Sequence, residues 1–246
     1  MNNWGEIKKL AIVEADDFQT KYDRNGLGML FYWKSIYPKF KITLFTIPNR
    51  TSDGMLRLMY LHRDWIELAV HGFDHESNFE CWNWDYEKTK ALMERVENHG
   101  ELDMEWTYPS YTKFFKAPGW MITGEAIKDE AGTVIGGKYS GYPPSDELPI
   151  AKDKQVVYKA LRDMNYIIFD RHYNKEARLS DGKIVCVDCQ PDLIHFHTWN
   201  VPSSDKNQRN GFVDIEENFG PPWDNNTKFH FVSEAWREGL FKPCQE

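Results

Sequence analysis

At 246 residues the chain is longer than one small domain needs and short for two, a domain taking about 150 residues. Apolar residues make up 41% and charged residues 28%, which belongs to a globular chain rather than a disordered one. With 30 Lys and Arg against 38 Asp and Glu the net charge is −8, and no Lys/Arg stripe is present, so neither a nucleic-acid partner nor an anionic membrane surface is expected.

No apolar run approaches the roughly 18 residues that span a bilayer. The start, MNNWGEIKKL, has no charged segment followed by an apolar one, so the expected location is cytoplasmic. The 10 Trp, 12 Tyr and 15 Phe fit a filled core and sugar-stacking platforms equally well. Cys81, Cys186, Cys189 and Cys244 are too few and too scattered for a disulfide scaffold. The CxxC spacing of Cys186 and Cys189 lacks the second pair of a zinc knuckle, and it reads as two thiols near a strand end.

In chain order, Leu10-Ala-Ile-Val-Glu14 reads as a buried strand followed at once by Ala15-Asp16-Asp17-Phe18. A β-branched strand over 42–47 stops at Pro48-Asn49, a helix covers 55–64, and a third strand over 65–70 ends in His71-Gly72. Residues 86–98 form a helix closed by Gly100. A fourth strand over 112–116 is stopped by Ala117-Pro118-Gly119, a short helix over 122–130 follows, and 133–139 makes a fifth strand. Then come a helix over 154–164, a sixth strand over 166–170 and a seventh over 193–197, with loops at 143–149 and 202–210. The tail returns to a strand over 228–232 and a helix over 233–240. Such alternation predicts an α/β fold with a mainly parallel sheet, and this many units favour a closed or distorted barrel in a single domain, 1–246.

Residues able to bind metal or move protons fall at the predicted strand ends: Asp16 and Asp17, His71 and His75, Lys116, His195 and His197. That is where (β/α) barrels build their active sites. His71-Gly-Phe-Asp-His75 spaces two imidazoles to converge on one ion if the segment turns helically, and Asp17 would complete a two-His, one-carboxylate set with open positions. Zinc suits these donors, and geometry would have to exclude nickel, cobalt or iron. Of two adjacent aspartates, one can ligate while the other acts as base on a water the ion acidifies. His195 and His197, two apart on a strand, share a face from which an imidazole could protonate a leaving group. The blander reading makes Asp16-Asp17 a helix cap and the histidines polar loop residues.

Ala15-Asp16-Asp17-Phe18, His71-Gly-Phe-Asp-His75, Lys116-Ala-Pro-Gly-Trp120 and Ile194-His-Phe-His-Thr-Trp199 follow, in order, a motif series over Leu10 to Trp199. The series resembles that of the polysaccharide deacetylase (NodB-homology) family, carbohydrate esterase family four. The resemblance implies a distorted (β/α) barrel of about seven parallel strands with one divalent ion, usually Zn2+, and removal of N- or O-acetyl groups from a sugar or oligosaccharide. It makes Asp16 the catalytic base, His197 the catalytic acid, and Asp17, His71 and His75 the metal ligands.

Lys116 stands where the family carries an arginine that orients the catalytic aspartate; lysine keeps the charge and loses the planar fork. Phe169-Asp170-Arg171 is at best a remnant of the fourth motif, and Glu14-Ala15 replaces the Thr-Phe that opens the first. Two other readings keep the barrel: hydrolysis of a non-sugar amide or imide, and a carbohydrate-binding protein that has lost turnover. The sugar, its length and the oligomeric state are open.

Overall fold

A computed structural model describes residues 7–20, 26–76, 80–98, 111–120, 122, 124–128, 130, 134–139, 156–171, 183–198, 211 and 220–242. The features expected at Gly100, 143–149, Trp199, 202–210 and Cys244 lie outside these residues. In chain order the elements are β1 (Leu10–Phe18), α1 (Leu27–Ile36), β2 (Ile42–Thr46), α2 (Asp53–Leu61), β3 (Ile66–His71), α3 (Tyr86–Glu97), β4 (Phe114–Lys116), β5 (Gly124–Lys128), β6 (Val134–Tyr139), α4 (Val156–Asp163), β7 (Ile167–Asp170), β8 (Ile184–Cys186), β9 (Leu193–His197), β10 (Lys228–His230) and α5 (Val232–Arg237). Contacts gather the chain into two compact units, Met1–Ala69 with Gln190–Phe241 and Val70–Cys189 with Lys242–Glu246.

In the first unit β1 pairs in parallel with β2 on one edge and with β9 and β10 on the other, and β3 lies beside β2. Eight of the nine β1 residues are buried, as expected of a parallel strand covered on both faces. The strand does not stop at Glu14 as its apolar run implies; it continues through Asp16 and Asp17 to Phe18. The β2 ladder carries it there, but the register shifts between Ala15 and Phe18, so one extra residue bulges out of β1. Asp17 takes the left-handed conformation there, with φ 66°. A bulge turns neighbouring side chains in different directions and is a known way to re-aim them.

Local chemistry sets the helix ends. Ser52 accepts the Met55 N–H at 3.3 Å to start α2, and Glu234 accepts the Phe231 N–H at 3.0 Å to start α5. The core of this unit is aromatic: the fully buried Trp33 of α1 meets Phe40, Phe196 and Trp223 edge-on, with ring centroids 5.2 to 5.9 Å apart.

In the second unit the last residues of β3, Val70 and His71, pair in parallel with Phe115 and Lys116 of β4. β4 pairs with β7 and β7 with β8, again in parallel. Asp85 caps α3 by accepting the Lys88 N–H at 2.7 Å, and α3 packs on α4. Beneath them lies a core that includes Phe115, Tyr158, Leu161 and Ile168.

The α/β class with parallel strands in chain order is the one expected, and it is the strand order of a (β/α) barrel rather than of a doubly wound sheet. Four elements differ: helix α1 has no counterpart among the expected elements, and β5, β6 and β8 depart from them. The helix expected over 122–130 is strand β5, which pairs antiparallel with β6. A helix so short is marginal by itself, and the ladder to β6 supplies its backbone partners instead. β6 therefore leaves the parallel set, and β8 joins it; β8 has only three residues, too few to show a period. Among the described residues no helix is long and apolar enough to cross a membrane.

Trp33→Ala removes the ring on which the first unit's aromatic core closes. Urea denaturation is expected to show a loss of about 3–5 kcal/mol, the usual cost of emptying a buried aromatic site.

Candidate functional site

Parallel pairing sets Glu14 beside His195 and Asp16 beside His197. Residues two apart on a strand share a face, so two carboxylates of β1 meet two imidazoles of β9. Glu14 is fully buried, and its Oε1 lies 3.0 Å from His195 Nδ1. An ionised carboxylate only accepts, so Nδ1 donates to it and Nε2 is the nitrogen turned toward Asp16. That Nε2 lies 3.9 Å from Asp16 Oδ2, and His197 Nε2 lies 3.9 Å from Asp17 Oδ2. The two rings stand edge to face with centroids 5.4 Å apart. Both histidines keep about a third of their side-chain surface open, at 27% and 31%, whereas Asp16 and Asp17 are buried. The Thr198 N–H donates to the Asp16 carbonyl at 3.0 Å and pins the strand end.

In the second unit, His71 closes β3 and is buried. Its Nδ1 lies 3.1 Å from the Lys116 carbonyl oxygen, which can only accept, so Nδ1 is the donor and the ring is held in place. The segment to His75 does not turn helically. It winds round the Glu80 carboxylate, which accepts the N–H groups of Phe73 at 3.2 Å, Asp74 at 2.8 Å and His75 at 3.0 Å. Gly72 (φ 63°) and His75 (φ 50°) are both left-handed. A Cβ on Gly72 would collide with the Glu80 carboxylate and come within 2.7 Å of the Pro118 ring. The loop brings the His71 and His75 rings to 5.1 Å between centroids, the convergence that helical spacing was expected to provide.

Lys116 is fully buried at the end of β4, its ammonium 4.7 Å from the centre of the Trp120 ring. Its backbone carbonyl serves the loop twice, accepting from His71 and from the Gly72 N–H at 3.1 Å. Asp170 ends β7 in a buried position, where its carboxylate accepts from the Tyr158 hydroxyl and from the Arg171 N–H at 2.8 Å. Arg171 in turn pairs with Asp188 at 2.8 Å.

The sulfurs of Cys186 and Cys189 lie 3.2 Å apart where β8 ends, the strand-end position expected of them. Burial, helped by Asp188, pushes the Cys186 thiol up to about 11, so it is not a thiolate near neutral pH.

Asp16, Asp17, His195 and His197 thus gather in the first unit, and His71, His75 and Lys116 in the second. Two residues in the same settings escape motif reading. Glu14 could have been found from strand periodicity, as the carboxylate on the face of Asp16. Glu80 follows its loop at no diagnostic spacing, and only the folded loop shows what it accepts.

No family model matches the chain, and no curated protein matches it. Two solved structures are similar along nearly their whole length. One is the Xyl-CE4 domain of a multidomain xylanase from the hindgut metagenome of Trinervitermes trinervoides, at TM-score 0.44 and 16% identity, covering 97% of this chain and 95% of that one. The other is a family 4 acetyl xylan esterase from Clostridium thermocellum in complex with a cobalt ion, at TM-score 0.45 and 10% identity, covering 94% and 93%.

Glu80→Ala leaves three loop N–H groups without their acceptor while sparing every candidate ligand. Titration with zinc is expected to show affinity lowered about 10- to 100-fold, the usual effect of losing a group that orients a ligand. A Cys186→Ser, Cys189→Ser variant is expected to bind the ion as the native chain does, measured by metal content after dialysis.

Proposed function

We propose that the chain is a metal-dependent hydrolase that removes N- or O-linked acetyl groups from a sugar or oligosaccharide. The observation that carries this reading is the meeting of Asp16 and Asp17 with His195 and His197 at the ends of two paired strands. Acid–base hydrolysis needs such a set, with a carboxylate to take a proton and an imidazole to return one.

Two further observations fit a cation. Glu14, Asp16 and Asp17 are all buried in one strand, and buried carboxylates call for positive charge nearby. His71 donates through Nδ1 to a backbone carbonyl, the arrangement that orients metal-ligating histidines. In this proposal Asp17, His71 and His75 are the ligands, leaving coordination positions open for substrate and water. Zinc suits the donors, as nickel and cobalt do.

When bound, the ion supplies Lewis-acid polarisation of the acyl carbonyl and acidifies water. Asp16 takes the proton of the attacking water. His197 gives a proton to the departing amine or alcohol, its partly open ring being accessible to substrate. Lys116 contributes a fixed positive charge in the role of the family's orienting arginine, without the bidentate fork. The whole chain, 1–246, acts as one catalytic domain in this reading.

Acetate release from a panel of acetylated sugars, with and without zinc, tests the reading. Asp16→Asn is expected to keep the ion and lose about a hundred- to ten-thousand-fold in turnover, as loss of a general base does. Asp17→Asn, and His71→Ala with His75→Ala, are expected to lose the ion. An Asp16→Asn variant without metal would reject the roles. A native chain that binds sugar and releases no acetate would make it a binding protein.

A further inference from the structure

We propose that Asp16, His195 and His197 form a second divalent-cation site, and that filling it switches the hydrolase off. Each residue offers one ligand atom, and the three atoms lie within 4.8 Å of one another. Zinc bonds of about 2.0–2.2 Å to nitrogen and oxygen put tetrahedral ligand atoms about 3.3–3.6 Å apart, so the trio closes by about an ångström on binding.

The separation of His195 Nε2 from Asp16 Oδ2 is informative. At 3.9 Å it is too long for a hydrogen bond and a few tenths of an ångström wider than the roughly 3.3–3.6 Å that tetrahedral zinc sets between ligand atoms. The pair therefore needs only a small movement to share one cation. Behind it, Glu14 holds His195 Nδ1 at 3.0 Å, the carboxylate–histidine arrangement that fixes the tautomer and ring of a metal ligand and raises its basicity. Glu14 is fully buried and Asp16 is 2% exposed, so the anionic side of the site is built into the strand, while the partly open rings admit an ion from solvent.

A base must keep its lone pair free and an acid its proton. A cation held by Asp16 Oδ2 and by His197 would take both at once. The inhibitory half of the proposal therefore rests on the hydrolase reading above, while the binding half does not. Affinity at this site should be the lower of the two, since in the hydrolase reading activity needs the other site filled first.

The test is a zinc titration of the chelator-stripped full chain by calorimetry, repeated with cobalt to read the visible absorption of the bound ion. Two steps are expected, a tight one and a weaker one. His195→Gln should abolish the weaker step alone, and Glu14→Gln should weaken it about 10- to 100-fold, with thermal melting confirming that both variants fold. His71→Ala with His75→Ala should remove the tight step alone. Acetate release should rise and then fall with zinc, the fall moving to higher zinc in both the His195 and Glu14 variants.

A single step in the native chain, or a weaker step that survives His195→Gln, overturns the site. Inhibition at high zinc unchanged in the His195 and Glu14 variants overturns the switch. Two steps behaving as stated, in a chain that releases no acetate, would uphold the site and overturn the switch together with the hydrolase reading.

Discussion

Glu14, Asp16 and Asp17 crowd three carboxylates into one buried strand, and an ionised carboxylate out of water is tolerated only beside hydrogen-bond donors or positive charge. That requirement organises the first unit. β1 is apolar and buried up to Val13, so the acidic groups fall at its far end, and β9 runs parallel to it with histidines at matching positions. The pairing register does the rest, setting Glu14 against His195 and Asp16 against His197. A slip of one residue would turn the imidazoles to the opposite face and leave the carboxylates facing hydrocarbon.

The same device recurs in the second unit with different parts. His71 is oriented through Nδ1 by a backbone carbonyl, and His195 through Nδ1 by a buried carboxylate. In both cases the oxygen can only accept, so Nδ1 is the donor and the orientation of the ring is fixed. An imidazole fixed in this way is prepared for a cation or a proton before either arrives. Lys116 links this to the sheet, since the carbonyl that orients His71 belongs to the last residue of β4.

Backbone strain is found at these positions. Asp17 and His75 are left-handed without being glycine, each at an expected cost on the order of 1–3 kcal/mol. The parallel ladders around β1 hold the first in place. The Glu80 carboxylate holds the second by gathering three consecutive N–H groups, and Gly72 gives it room because any side chain there would strike it.

Local sequence determined a good deal. Apolar runs marked most of the parallel strands, apolar spacing marked α3, and β9 runs from Leu193 to His197 as its pattern indicates. The candidate residues at strand ends were legible for the same reason, because polar groups that interrupt a buried run must sit where the run ends. What the sequence left undetermined depended on partners far away in the chain. Residues 124–128 became a strand because β6 offered a ladder, and β1 ran past Glu14 because β2 and β9 continued beside it. Glu80 came to govern the His71–His75 loop, and Glu14 to hold His195, through hydrogen bonds that no spacing rule encodes. Periodicity reports which face of a segment is buried; only tertiary pairing decides which buried groups meet, because that is fixed by register and loop closure between segments that carry no mark of each other.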